Sequence, residues 1–160
     1  MRISVQACIE GEGARPAKVI ALGVLEREDG FAPSAGLGLF LRETQTLLKQ
    51  LQKVFLEEQV DRFFDASARC LACSVPLGTK DNQRLVYRTT FGKARLRNAR
   101  YYSHCSSCGF CSSDKATVSP LAHALPERVH PQWSWLQCRY ASVMSYRLAH
   151  IFLRDAFPGG

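Results

Sequence analysis

The chain has 160 residues, 46% of them apolar, and a formal net charge of +7. That is enough apolar content for one compact domain or two or three small modules, and it excludes a disordered chain. No apolar run reaches ~18 residues, which excludes a membrane-spanning helix, and the opening "MRISVQACIEGEG" has neither the apolar stretch nor the cleavage-like ending of a signal peptide.

Residues 2–9 and 17–27 are predicted as two strands. "RISVQACI" alternates, and "AKVIALGVLE" is rich in aliphatic and β-branched residues. Gly11, Gly13 and Pro16 break the chain between them. The Gly11–Gly13 pair is not a phosphate loop, because a strand rather than a helix follows it.

A long helix is predicted over residues 40–66. Phe40, Leu41, Leu47, Leu48, Leu51, Val54 and Phe55 recur at helical steps, and Val60, Phe63 and Phe64 continue the stripe with a small offset. At ~1.5 Å per residue such a helix spans about 40 Å, more than a two-stranded hairpin covers. Core packing within the chain is the expected use of the stripe, with a second copy of the chain as the alternative.

The charge shifts after this helix. Residues 1–65 carry 8 basic and 10 acidic side chains, and residues 66–160 carry 13 and 4. The excess makes the later part a candidate for a polyanionic partner.

Seven cysteines in a chain without a secretory pattern fit a reducing, cytoplasmic compartment and favour metal over disulfides. Cys70 and Cys73 form one C-x-x-C arm, and Cys105, Cys108 and Cys111 supply the other. Two such arms make a tetrahedral four-thiolate site, which suits a structural Zn2+. Cys105 and Cys108 repeat the spacing of the first arm, and Gly109 follows them, so they are the expected second pair, with Cys111 as the alternative ligand. A dithiol redox site lacks its βαβ setting, an iron–sulfur cluster has no particular support, and a catalytic zinc would need an open position. Cys8 and Cys138 are expected as small buried residues. His104 adjoins the cluster and is a weaker substitute ligand.

Between the cysteine arms lies a predicted β-hairpin with one basic face. Leu85, Tyr87, Thr89 and Phe91 alternate with Arg84, Val86, Arg88 and Thr90. After Gly92, Lys93, Arg95 and Arg97 alternate with Ala94 and Leu96. Arg84, Arg88, Lys93, Arg95, Arg97 and Arg100 occur without an intervening acid, so they are the candidate phosphate contacts. Tyr101 and Tyr102 are expected to pack against this unit.

The last part is predicted helical. Ser119-Pro120 and His130-Pro131 each read as a helix start with proline at the first position. Trp133, Leu136, Tyr140, Met144, Leu148 and Ile151 keep helical spacing, and Ser145 is a candidate cap for a separate last helix. His123, His130 and His150 have no visible catalytic partner. Residues 66–160 offer only Asp81, Asp114, Glu127 and Asp155, so no paired-carboxylate centre is drawn, and the chain is not expected to be an enzyme on its own.

The order of these motifs resembles the N-terminal region of bacterial ISKra-four family insertion-sequence transposases, across essentially the whole chain. Its most specific carriers are the C-x-x-C, "YRTTFGKARL", "SPLAHALPERV" and "YASVMSY". The resemblance implies a front end that binds the terminal repeats of a transposon, in the bacterial cytoplasm. It also implies a zinc-binding role for Cys70, Cys73 and two of the later cysteines. The family's acidic catalytic domain has no counterpart here, and "SYRLAHIFLRDAFPGG" reads as the start of a helix-turn-helix that ends before its recognition helix. The three cysteines spread over 105–111 also depart from the closer pair of the family. A truncated product that pairs with intact transposase and inhibits it is the regulatory alternative, and a zinc-held protein-interaction module is another.

The expected architecture is therefore α+β. Residues 1–66 form a β-hairpin and long helix, 67–115 a zinc-ribbon-like basic module, and 116–160 a helical segment with an incomplete helix-turn-helix.

Overall fold

The computed structural model describes residues 1–11, 13, 15–27, 37–70, 73–102 and 117–157. Among them are two small antiparallel sheets and four helices, a mixed α+β chain. They divide into two units, Met1–Val54 and Phe55–Gly160.

In the first unit, β1 (Arg2–Ile9) pairs antiparallel with β2 (Lys18–Glu26). The register slips between Val5 and Gln6, whose partners are Gly23 and Ala21. Gly23 lies under the helix α1 (Leu41–Ser67), where an added Cβ would sit 3.2 Å from Leu47 Cδ2. The missing side chain thus allows close approach of helix and strand.

The start of α1 is tied to the end of β2. Arg27 donates to both carboxylate oxygens of Glu43, at 2.7 and 2.6 Å, and its guanidinium lies over the Phe40 ring. Glu43 Oε2 also accepts from the Phe40 N–H, 2.9 Å away, which satisfies one of the unpaired amides at the helix start. The hydrogen bond from Arg27, then the one from Phe40, hold the Glu43 carboxyl below its ordinary range.

The helix has the predicted bounds to within a residue at each end, but its burial is not one stripe. Val54 and the half-buried Leu47 and Leu51 share a face, whereas Leu56, Val60 and Phe64 are the buried residues of the second half. At ~100° per residue these two sets differ by roughly half a turn in phase. The sequence reading put Phe55 on the stripe, and Phe55 is exposed, while Leu56 takes the buried place. Each half of the helix buries the face demanded by its own unit, which is why a single periodicity misassigns the crossing point.

In the second unit, β3 (Thr79–Thr89), β4 (Gly92–Tyr102) and β5 (Thr117–Val118) form a sheet in that order. The turn between β3 and β4 is held by Thr89, whose buried hydroxyl donates to the Gly92 carbonyl and accepts from the Phe91 N–H. Gly92 takes φ +128, a conformation closed to most side chains. The core gathers Leu56, Val60 and Phe64 of α1 with Leu85, Tyr87, Leu96, Ala99 and Tyr101 of the sheet and Leu121. Phe64, 2% exposed, sits at its centre with its ring 6.1 Å from that of Tyr101.

The predicted alternation holds along the strands but not at the turn, where Thr90, placed with the arginines, is buried and Phe91, placed with the apolar residues, is half-buried, because the chain leaves the extended conformation there. Leu85, Tyr87, Thr89 and Leu96 are buried, and Arg84, Val86, Arg88, Lys93, Arg95 and Arg97 are exposed.

Three helices follow: α2 (Pro120–Ala124), α3 (Pro131–Val143) and α4 (Tyr146–Ala156). Both prolines take the predicted first positions. Ser119, whose place before Pro120 at a helix start suits a capping serine, instead donates its hydroxyl to the buried Asn98 Oδ1 at 2.8 Å. A buried amide without a partner is costlier than an uncapped helix end that water reaches. The helical spacing from Trp133 onward is interrupted at Met144, and Ser145 caps α4 as expected, accepting from the Leu148 N–H. Trp133 meets Phe157 and Tyr140 meets Phe152, so α3 and α4 run antiparallel. No described helix is long and apolar enough to cross a membrane.

Candidate functional site

Two groups of residues carry chemistry in the second unit. The first is the cysteine arm before β3. Residues 68–70 and 73–77 pair with one another as the chain doubles back. The Cys70 N–H donates to the Val75 carbonyl, the Ser74 N–H donates to the Cys70 carbonyl, and the Leu77 N–H donates to the Ala68 carbonyl, each at 2.9 Å. Arg69 and Pro76 form an antiparallel bridge across it. Ser74 takes φ +58, which returns the chain immediately after the second cysteine. Cys70 is 4% exposed and Cys73 is half-buried.

Cys105, Cys108, Cys111 and His104 lie outside the described residues. The anchors on either side of them are described. Tyr101 pairs with Val118 and Tyr102 with Thr117, so the chain leaves the sheet at Tyr102 and rejoins it beside the same residue. The Tyr102 N–H donates to the Gly78 carbonyl at 2.9 Å, which sets this point next to the exit from the first cysteine arm. Cys105 is three residues from Tyr102, a reach of at most about 10 Å. Two thiols on one tight reversal are the kind of donor pair that suits a soft-ligand metal such as zinc. Among the described residues alone, no group of three or more His, Cys, Asp or Glu side chains converges.

The second group is the exposed face of β3 and β4. Arg84 stands directly opposite Arg97, Val86 opposite Arg95, and Arg88 opposite Lys93. Like charges facing each other across strands repel, so this ladder costs stability unless an anion compensates it. Among the described residues Arg84, Arg88, Lys93 and Arg95 have no carboxylate within ion-pair distance. Arg97 has one loose contact, 3.8 Å to Asp61, and its guanidinium lies over the Phe64 ring.

Arg100 does not join this ladder. It falls on the opposite face and makes a two-pronged ion pair with Asp81, its cross-strand partner. The hydrogen bond from Arg100 holds the Asp81 carboxyl below its ordinary range. The acid-free basic stretch counted Arg100 with the other cations, but strict period two puts position 100 on the face opposite 93, 95 and 97, and the regular register sets Asp81 across from it. Tyr101 is buried against Phe64, as expected of a packing residue, and burial raises its hydroxyl pKa.

The ladder leads to a cleft of about 790 Å3 that sequence reading missed. Arg88 and Lys93 form one wall, and α3 and α4 supply Trp133, Gln137, Tyr146 and His150. Strand and helix are joined here through Arg88. Its N–H donates to the Arg128 carbonyl, and its carbonyl accepts from the His130 N–H. His130 in turn caps α3 through Nδ1, accepting from the Gln132 N–H at 3.2 Å. Cys138 also lines the cleft, and both it and Cys8 are exposed, contrary to expectation. Each lies on the outward phase of its element, which the short apolar windows around them conceal.

Compared with known proteins, the chain matches no protein-family profile, no curated protein and no solved structure.

Proposed function

We propose that this chain is a DNA-binding module held by zinc, of the kind that forms the front end of an insertion-sequence transposase. The observation that carries the reading is the ladder of like charges on β3 and β4. Arg84 faces Arg97 and Arg88 faces Lys93, with Arg95 between, on a face whose cations are largely without acidic partners among the described residues. A phosphate backbone supplies the regularly spaced negative charge that such a face lacks.

In this reading Cys70, Cys73, Cys105 and Cys108 hold the metal, with Cys111 as the substitute ligand. The zinc is structural and joins the two arms at one end of the sheet, as in a zinc ribbon. In the same reading α4 is the first helix of a helix-turn-helix. No residue is assigned a catalytic role, and transposon ends are the proposed target.

Duplex DNA binding measured against salt tests the proposal. Reversing Arg84 and Arg95 together should lower affinity at moderate salt more than tenfold and reduce the logarithmic salt slope by about two. Unchanged binding and slope would remove the ladder as the DNA surface. A second reading, a zinc-held protein-interaction module, is favoured by the exposed apolar side chains of Trp135, Val143 and Leu148. It predicts the unchanged outcome of the same experiment.

A further inference from the structure

We infer that the cleft between the β3–β4 ladder and the α3–α4 pair receives a single unstacked nucleotide, at the end or overhang of a bound DNA strand. The inference rests on the DNA-binding reading above and goes beyond it by naming a second mode of contact.

The observations that lead there are geometric. Arg88 and Lys93 are both the last cation pair of the ladder and one wall of the cleft. Along β4 the cations Lys93, Arg95 and Arg97 repeat every two residues, about 6.6 Å, a step suited to successive phosphates of an extended strand, and Arg84 and Arg88 flank the same row from β3. A backbone that follows the ladder from Arg84 and Arg97 is therefore delivered to the cleft mouth. Among the described residues no carboxylate lines the cleft, so none of them repels an incoming phosphate.

The other walls suit a base rather than a bare anion. Tyr146 is 82% exposed and lines the cleft, an aromatic surface left open to a stacking partner. Gln137 and His150 offer hydrogen-bond donors and acceptors to a base edge, and Trp133 is buried beneath them. The volume, about 790 Å3, lies within the ~300–1,000 Å3 typical of sites for small organic groups. The cleft is also held in shape before any ligand arrives, because Arg88 is tied by two backbone hydrogen bonds to Arg128 and His130 at the start of α3. A duplex base pair stays stacked, and only an unpaired base is free to enter.

The test uses the full chain and three fluorescent DNA probes: a blunt duplex, the same duplex with a short thymidine overhang, and that duplex with an abasic overhang. The expected result is about tenfold tighter binding of the thymidine overhang than of the other two. Tyr146→Ala should abolish that preference while leaving blunt-duplex affinity unchanged. Arg84→Glu with Arg95→Glu should weaken all three probes together. Equal binding of the three probes by the unaltered chain overturns the inference and leaves the DNA-binding reading intact, as does a preference that survives Tyr146→Ala. A chain that binds no probe sinks both readings. Binding of the overhang without the blunt duplex supports the cleft and sinks the duplex reading.

Discussion

The two β-hairpins of this chain have the same antiparallel pairing and very different fates. In β1–β2 no strand residue is buried, and Ile3, Val24 and Val19 are exposed, the last at 65%. In β3–β4, Leu85, Tyr87, Thr89, Leu96, Asn98, Ala99 and Tyr101 are all buried. The first pair is as rich in β-branched and aliphatic residues as the second. What differs is coverage. Phe64 of α1 lies against Tyr101, on the strand face that also carries Arg97, while Ser119, at the start of α2, bonds to Asn98 on the other face. A two-stranded ribbon is marginal in water, and its stability comes from what packs on it.

This comparison can be broken most strongly at the proposed zinc. Chelation, or Cys70→Ser, should destabilise the second unit by on the order of 10 kcal/mol, the scale of zinc binding in small metal-held modules. Metal analysis with amide exchange checks it. A purified chain with far less than one zinc, still protected across β3–β4 after chelation, would remove zinc from the account. Amides of β1–β2 should be indifferent to chelation.

Next in size is the core. Phe64→Ala should cost about 3–5 kcal/mol in denaturant unfolding, because it leaves a cavity against Tyr101. Val19→Thr on the exposed hairpin should stay within about 0.5 kcal/mol. If the two substitutions cost the same, the contrast between the hairpins is wrong.

Asn98→Ala should cost about 1–2 kcal/mol, since it strands the Ser119 hydroxyl as well as emptying a buried site. Its companion Ser119→Ala separates this from a helix-cap effect. A cost confined to α2, with β4 exchange unchanged, would show that the serine acts as a cap after all.

The smallest effect belongs to the first unit and to acid. The Glu43 carboxyl is held low by Arg27, so its contribution is complete above the ordinary carboxylate range and is lost as pH falls through the depressed value. Amides near the clasp should therefore open in acid before the rest of the first unit, and Glu43→Gln should flatten that dependence. Nuclear magnetic resonance of the Arg27 and Phe40 amides reads it directly.

Much of this was visible in the residue pattern, for a physical reason in each case. The five long elements announce themselves because alternation and helical spacing are local properties. The basic face of β3–β4 is visible for the same reason, since period two puts Arg84, Val86 and Arg88 together. The turn at Gly92 is visible because only glycine is at ease there. What stayed hidden depends on contacts between distant segments. The phase change in α1 between Val54 and Leu56 follows from a change of partner, which no window within the helix contains. Period two alone takes Arg100 off the face of Lys93, Arg95 and Arg97, but its ion pair requires knowing that Asp81 stands opposite it. The cleft requires Arg88 to be joined to Arg128 and His130, forty residues and more downstream in the chain. Ser119 was read as a cap because its own neighbours say so, and Asn98 has the stronger claim on it.

The pairing of Tyr102 with Thr117 has one more consequence. Tyr102 and Thr117 are fifteen residues apart in the sequence and neighbours on one rung, so the sheet closes a long loop with only two rungs of β4 and β5. The entropy of such a closure grows slowly with loop length, so its cost is set mainly by the fact of closure and little by the number of residues enclosed. The register of β3 against β4 is independent of it, because their own turn at Thr89 and Gly92 sets that register.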